Sequence, residues 1–458
     1  MGRVGDFLIQ GALGLWTGLE GAAARGTGAV RVREGRIAGV GDLAPEPGEA
    51  VVDASGCVLM PGLVNSHHHL FQSVLKAVPA GMNAALFEWL RVVPYTLWDR
   101  LDGEAMEVAV TIGLAELALS GCTTVADHHY FYSDRWGFDP DAVLFEGAGR
   151  FGLRFVLCRG GATKARAFDT PEITPLPVEP LEVMLRRVEA AAARWHDPAP
   201  DAMRRVVMAP TTPTFSLDPG ELREIAAAAR GMGLRLHSHL SENYGYVEHT
   251  LGLYGKRPVE WLAGHDWLGP DVWFAHLVEA DAAEVKLLAE TGTGMAHCPQ
   301  ANARLGSGIA PAEALSRAGG VVSLAVDGAA ANEAADMGSA LYAAFMLHRA
   351  VKGADAVTAE ELARWATSGG AAVLGLPAVG TIAPGQAADL VLFDLDAPRW
   401  FGAHDVLVAP LVSGGGLRVR RSWVGGREVV RDGALPWLDM EKLRADAARV
   451  VAQLARTH

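Results

Sequence analysis

The sequence predicts an α/β fold: a parallel (β/α)8 TIM barrel carrying a small β-sandwich formed by both chain ends. Three observations predict it. The chain has 458 residues, too many for one ordinary core and suited to a barrel of about 250 residues or more plus one smaller module. Its middle alternates short apolar runs with Ala- and Leu-rich amphipathic stretches. Its two ends share another texture, strand-like runs broken by Gly, Asp and Pro.

At the N-terminal end, Ala29-Val30-Arg31-Val32 and Arg36-Ile37-Ala38-Gly39-Val40 flank Glu34-Gly35, the pattern of a β-hairpin. Near the C-terminal end, Ala388 through Phe393 and Leu417 through Val424 read as strands, and Gly425-Gly426 as a tight turn. Residues 1–58 plus 376–436 are therefore expected to form one composite β module. Residues 59–375 supply the barrel. Its strands are expected at Gly62–His67, Thr123–His128, Leu153–Cys158, Arg205–Ala209, Leu234–His239, Val272–His276, Gly294–Cys298 and Val321–Asp327. Helices are expected between them, among others at Glu104–Leu119, Leu181–Trp195, Pro219–Ala229 and Ala282–Glu290. Asp218-Pro219 is a good helix start, because Asp caps and Pro tolerates the first turn. Strand then helix, repeated eight times, predicts a closed parallel sheet. Residues 437–458 are expected to hold a last helix, Leu438 to Arg456, packed on the outside.

Composition narrows the function. Half of the residues are hydrophobic and 20% are charged, the profile of a soluble enzyme. A net charge of -13 argues against nucleic acid, whose phosphates select basic surfaces. Met1 to Leu8 lacks a basic segment followed by an apolar stretch, so no signal peptide is expected. No apolar run reaches the roughly 18 residues that a membrane span needs. Cys57, Cys122, Cys158 and Cys298 form no CxxC pair and read as reduced, buried thiols of a cytoplasmic protein. Cys298 sits beside His297, but a small core residue is the favoured reading of it.

The polar residues at the strand ends carry the chemistry. His67, His69, His239, His276 and Asp327 fall at the ends of predicted strands 1, 5, 6 and 8. The C-terminal face of such a barrel is where active sites sit. In Asn65-Ser66-His67-His68-His69, alternate side chains of a strand share a face, so His67 and His69 can address one ion while His68 faces away. Imidazole and carboxylate are the donors zinc takes in open catalytic sites. In Leu236-His237-Ser238-His239-Leu240-Ser241-Glu242, either imidazole is able to ligate. His239 is taken, because Glu242 follows three residues later and can lean over the same site; His237 is read as support or packing. The metal set is then His67, His69, His239 and Asp327. The end of strand 4 offers no Lys to bridge a second metal, so one ion per subunit is expected. The H-x-E…P-C-x-x-C, H-E-x-x-H and P-loop signatures are absent.

These residues resemble the amidohydrolase superfamily, in its cytosine/guanine-deaminase-like branch. The matching stretches are Pro61 through His69, His239-Leu240-Ser241-Glu242, His297-Cys298-Pro299-Gln300-Ala301-Asn302, Val326-Asp327-Gly328, and the tail Gly380 through Leu390. Within the branch, the isoxanthopterin and 8-oxoguanine deaminases are most similar. His69-Leu70-Phe71-Gln72-Ser73, Leu86-Phe87-Glu88-Trp89-Leu90, Ala126 through Tyr130 and Arg159 through Thr163 carry that likeness. Met208 through Thr212, His237 through Glu242 and Asn332 through Met337 lean to the isoxanthopterin type. Two departures stand out: the family patterns H-C-P-x-S-N and D-G-x-x-S-N carry Ala301 and Ala331 where they have Ser. Both losses of a hydroxyl are expected to turn one shared environment apolar and to touch substrate preference. Guanine deaminase has Arg before its Phe-Ser-Leu; here Thr214 stands there, which argues against plain guanine.

The resemblance implies a hydrolytic deaminase with one Zn2+ per subunit, iron being the alternative, and a homo-oligomer. Bound metal brings the pKa of water towards about 7. Asp327 would bind the metal and take a proton from the water. Glu242 would protonate the substrate's ring nitrogen and then serve the departing ammonia. His276 would orient the nucleophile or stabilise charge. Substrate contacts are expected from Gln72, whose amide offers donor and acceptor to a lactam edge; from Trp89, able to stack on a flat ring; from Arg159 at the end of strand 3; and from His128 at the end of strand 2. The implied substrate is a 2-amino-4-oxo heterocycle such as isoxanthopterin, a related pterin or 8-oxoguanine. An s-triazine-type chloro- or aminohydrolase is the alternative, and a metal-free binding homologue the third reading.

Overall fold

The computed structural model describes residues 5–165, 174–412, 414 and 416–456. The outermost residues of the expected terminal segments, 1–4 and 457–458, lie outside that range.

Eight parallel strands form the barrel: Leu63–Asn65, Cys122–His129, Arg154–Arg159, Arg204–Met208, Leu236–Leu240, Val272–His276, Gly294–His297 and Val322–Leu324, each hydrogen-bonded to its sequence neighbour. Ser66 N–H donates to the Leu324 carbonyl at 3.3 Å, and the Ser66 and Ser323 hydroxyls meet at 2.7 Å, which joins the last strand to the first. Most strand residues are buried on both faces, as a parallel sheet wrapped in helices requires. The long helices sit where the amphipathic spacing puts them: Gly103–Leu119, Leu181–Trp195, Leu222–Gly231 and Ala282–Thr291. Ala282–Thr291 is bounded by the Asp281/Glu284 capping box and by Gly292 in the left-handed region. The Pro219 start differs in detail. Its first turn, Pro219–Glu221, is a tighter helix held by an Asp218/Glu221 capping box, and the α-helix begins at Leu222.

The last barrel strand is shorter than expected and stops at Leu324. Beyond it the backbone turns irregular: Ala325 and Asp327 N–H still donate to the His297 and His67 carbonyls at 2.8 and 3.2 Å, but Asp327 adopts φ +64°. Its carboxylate is thereby set by an irregular backbone rather than by strand pleat.

The β-sandwich draws on both ends of the chain. One sheet runs Arg36–Gly41, Ala29–Arg33, Phe7–Gln10, Ala50–Asp53; the other runs Arg427–Arg431, Val419–Val424, Leu390–Asp394, Cys57–Pro61, Gly14–Trp16, Arg25–Gly26. Between them lies a second apolar cluster, including Phe7, Ile9, Val32, Leu59, Leu390 and Trp423. Both expected turns have two left-handed residues, Glu34-Gly35 (φ +50°, +77°) and Gly425-Gly426 (φ +53°, +71°), the geometry that matches strand twist. They also touch. A Cβ on Gly35 would meet the Gly425 carbonyl oxygen at 2.6 Å, so the two chain ends close on each other through glycine. The terminal helix, Met440–Leu454, buries Val450 and Leu454 and is tied to the first barrel helix by Arg449–Glu104.

Candidate metal centre and active site

At the C-terminal mouth of the barrel His67, His69 and His239 cluster with His128, and His67 clusters with His276 and Asp327, all buried. Asp327 Oδ1 lies 3.5 Å from His67 Nε2 and 3.3 Å from His69 Nε2, and His69 Nε2 lies 3.1 Å from His239 Nε2. The tautomers follow from the partners, because a carbonyl oxygen only accepts. His69 Nδ1–H donates to the His128 carbonyl at 2.7 Å, and His239 Nδ1–H to the Thr211 carbonyl at 2.7 Å. His237 Nδ1–H donates to the Trp273 carbonyl at 3.0 Å, which leaves its Nε2 to accept from His67 Nδ1–H at 2.8 Å. His67 and His69 thus turn an unprotonated Nε2 towards Asp327, and the unprotonated Nε2 of His239 meets that of His69. His67 Nε2 has no hydrogen-bond partner at all. Burial, and then the neighbouring imidazoles, hold their pKa values well below the ordinary range, so the rings are neutral.

Lone pairs crowded in this way repel one another unless a cation lies among them. The donor set therefore fits a metal ion, and three imidazoles with one carboxylate fit zinc. The carbonyls and His237 behind the rings orient them, as partners of metal-bound histidine do. Cys298 is not among the clustered donors of the described residues; burial pushes its thiol far up, and it packs as a core residue.

Beside the donors stand Glu242 and His276. Glu242 Oε2 is 3.6 Å from His276 Nε2, and His276 Nδ1–H donates to Asn302 Oδ1 at 2.9 Å. Burial pushes the Glu242 pKa up to about 7; His276 opposes that and Asp327 adds to it. A carboxyl poised there can hold or release a proton at neutral pH. Ser241, His276, Leu277 and Asp327 all have positive φ. Non-glycine residues rarely adopt that backbone, and four of them fall at three strand ends that face the site.

These groups floor a cavity walled by Gln72, Leu86, Phe87, Trp89, Leu90, Tyr95, Tyr130, Thr211, Thr212, Phe215, Tyr246 and Leu305. Among the described residues that line it there is no Lys or Arg. Gln72 Oε1 and Trp89 Nε1 are buried there without hydrogen-bond partners. Gln72 and Trp89 are thus placed where substrate contact was expected.

Arg159 is not. Its guanidinium turns away and holds the buried Glu179 through two hydrogen bonds, of 2.5 and 2.8 Å, while lying 3.7 Å over the Tyr132 ring. An arginine at 1% exposure needs a carboxylate partner more than a ligand, and Glu179 supplies it. His128 does not line the cavity either, but it belongs to the histidine donor cluster and its Nδ1 is buried without a partner. Its ring stacks on that of His239 at 4.7 Å and its Nε2–H donates to the Ala209 carbonyl at 2.7 Å. Ala301 and Ala331 are buried in the main apolar cluster, Ala301 next to the Asn302 that holds His276. Asn302 is the functional partner that went unassigned, although it ends the quoted His297–Asn302 stretch.

Comparison with known proteins agrees with this geometry. The amidohydrolase family model matches residues 58–429. An isoxanthopterin deaminase from an unknown prokaryotic organism is 48% identical over 98% of this chain and 97% of its own length. The 8-oxoguanine deaminase of Pseudomonas aeruginosa is 38% identical over 97% of this chain and 99% of its own. The solved atrazine chlorohydrolase of Arthrobacter aurescens, complexed with zinc, superposes with a TM-score of 0.89 at 26% identity, covering 97% of this chain and all of that one. With its family model spanning most of the sequence and the metal donors in place, the chain belongs to the amidohydrolase family.

Proposed function

We propose that this enzyme hydrolytically deaminates a neutral 2-amino-4-oxo bicyclic heterocycle, isoxanthopterin or a related pterin, or 8-oxoguanine. The observation that carries the reading is the place of Glu242, a buried carboxyl 3.6 Å from His276 that lines the cavity together with His69, His239 and Asp327; burial pushes its pKa up to about 7. The names of the two relatives above support it. The lack of Lys and Arg among the described residues that line the cavity favours a ring without phosphate or carboxylate.

A metal held there, which we take to be zinc, would lower the pKa of water towards neutrality. His67, His69, His239 and Asp327 would hold it. Asp327 takes the proton from the attacking water. Glu242 gives a proton to the ring nitrogen next to the attacked carbon, which becomes tetrahedral as the ring C=N bond gives up its second electron pair. The Glu242 carboxylate so formed takes the proton of the new C–OH and passes it to the exocyclic amine, which leaves as ammonia while the carbonyl forms, and the proton held by Asp327 returns to Glu242. His276, fixed by Asn302, faces Glu242 and steadies the charge that develops. Gln72 offers its free Oε1 and its amide N–H to the lactam edge, and Trp89 presents indole N–H and ring face.

The test is ammonia release by metal-loaded protein from isoxanthopterin, pterin, 8-oxoguanine and guanine. Turnover of an oxidised pterin or purine in preference to guanine is expected. Silence on all four, with hydrolysis of a chloro- or alkylamino-s-triazine, would replace this reading by the triazine one.

A further inference from the structure

One ion pair at the cavity rim is not used by the chemistry above. Arg304 ends the short helix Pro299–Arg304 that follows the seventh barrel strand, and Glu333 lies in the loop after the eighth. Arg304 Nη2 and Nε donate to Glu333 Oε1 at 2.9 and 3.3 Å. The pair reaches across to the long connection after the first strand. Glu333 Oε2 accepts from the Ala77 N–H at 2.5 Å, and Arg304 Nη1 donates to the Gly81 carbonyl at 3.0 Å. Both side chains are partly shielded, at 16% and 30% exposure.

What it grips bears directly on the cavity. Gly81 packs against the indole of Trp89; a Cβ at Gly81 would sit 3.1 Å from Trp89 Cδ1 and 2.4 Å from Val93 Cγ2. Helix Leu86–Val92, which begins five residues after Gly81, supplies Leu86, Phe87, Trp89 and Leu90 to the wall. Leu305, the residue after Arg304, lines the same cavity. Ala77 and Glu333 both have left-handed backbone, φ +51° and +66°. Neither is glycine, so each conformation needs outside support, and the hydrogen bond between them supplies it. Three separate barrel loops are thus joined by one ion pair at the point where Trp89 is set.

We propose that Arg304 and Glu333 are positioning residues: together they latch segment 77–82 so that helix Leu86–Val92, with Trp89, closes over the bound ring. The proposal rests on the heterocycle reading for its kinetic consequence, but not for its structural one. Charge-assisted, multidentate contacts of this kind fix geometry more than they add stability.

The test uses the full-length, metal-loaded enzyme and the variants Arg304→Met, Glu333→Gln and Arg304→Lys. Hydrogen exchange of the peptides covering 77–93 is read first, without substrate. Exchange should quicken at least tenfold in Arg304→Met and Glu333→Gln, and recover in part in Arg304→Lys. KM for the best substrate should rise about tenfold in the first two while kcat falls less than threefold, the pattern of lost uniform binding. The double variant Arg304→Met/Glu333→Gln should be no worse than either single one. Unchanged exchange in 77–93 overturns the latch whatever the activity shows. Faster exchange with unchanged KM overturns its role in binding. If wild-type enzyme turns over none of the heterocycles, the functional reading fails, and the exchange data alone decide the latch. Should one variant not fold, the other carries the same outcomes.

Discussion

His69 Nε2 and His239 Nε2 face each other at 3.1 Å, although each ring has already given its Nδ1–H to a main-chain carbonyl. Neither nitrogen has a proton to offer the other. Two acceptors held at this distance make sense around a cation, and that relationship ties the fold to the chemistry.

The same logic reaches His237, which never faces the ion. It accepts from His67 Nδ1–H and so keeps the His67 ring in the ligating tautomer. His237→Asn should therefore weaken metal affinity by about 10–100-fold without abolishing it. Competition with a chelator of known affinity, followed by metal analysis, checks this. His69→Asn, which removes a donor, should leave the purified protein with little metal.

Gly328 gives a sharper test of the cavity. A Cβ there would fall 1.9 Å from Gln72 Oε1. The obstacle is the far end of a flexible side chain, so Gly328→Ala should fold normally and displace the Gln72 amide. KM should rise about tenfold, the equivalent of roughly 1.4 kcal/mol of lost hydrogen bonding. Gln72→Ala should match it, and the two together should add little.

Arg159 separates stability from binding. Arg159→Met leaves the buried Glu179 with Arg187 alone, at 2.7 Å. A loss of the order of 3 kcal/mol in unfolding free energy is expected, since breaking a buried pair strands a charge. KM of the folded enzyme should change little. Denaturant unfolding together with steady-state kinetics distinguishes this from a substrate contact.

Asp127 makes stability depend on pH. Burial pushes its pKa up to about 8, against the pull of the Leu70 N–H. In the unfolded chain it titrates near 3.9. Below about pH 4 the carboxyl is protonated in both states and its contribution is fully present. As pH rises towards 8 the unfolded chain releases the proton and the folded one keeps it, so that contribution is lost. Asp127→Asn keeps the acceptor for Leu70 and does not titrate. The Tm of the wild type relative to this variant should fall steadily between pH 4 and 8. A constant difference would contradict the assignment.

Much of the barrel is legible in the sequence because parallel strands are short apolar runs. Val272–His276 has the bounds the pattern predicts, and Leu181–Trp195 follows its amphipathic spacing. The expected last strand runs past the observed one because Ala325 and Val326 are apolar like strand residues, while the backbone there turns irregular up to Asp327. In the site, residue types at strand ends point to the donors, and the His67/His69 spacing shows a shared face. The rest depends on main-chain carbonyls of Thr211, His128 and Trp273, which no side-chain pattern reveals. Arg159 misled for a related reason. Its partner Glu179 stands twenty residues further along the sequence, with no periodicity to link them.

The central claim is that Glu242 moves the protons of a metal-dependent deamination. The most direct measurement is ammonia release from isoxanthopterin by wild-type protein and by Glu242→Gln, with the metal content of both determined. Stoichiometric ammonia is expected from the wild type, with loss of that activity on chelation and a fall in kcat of about 10²–10⁴-fold in Glu242→Gln at equal metal occupancy. Ammonia release from metal-free protein, or a Glu242→Gln enzyme as fast as the wild type, would contradict it.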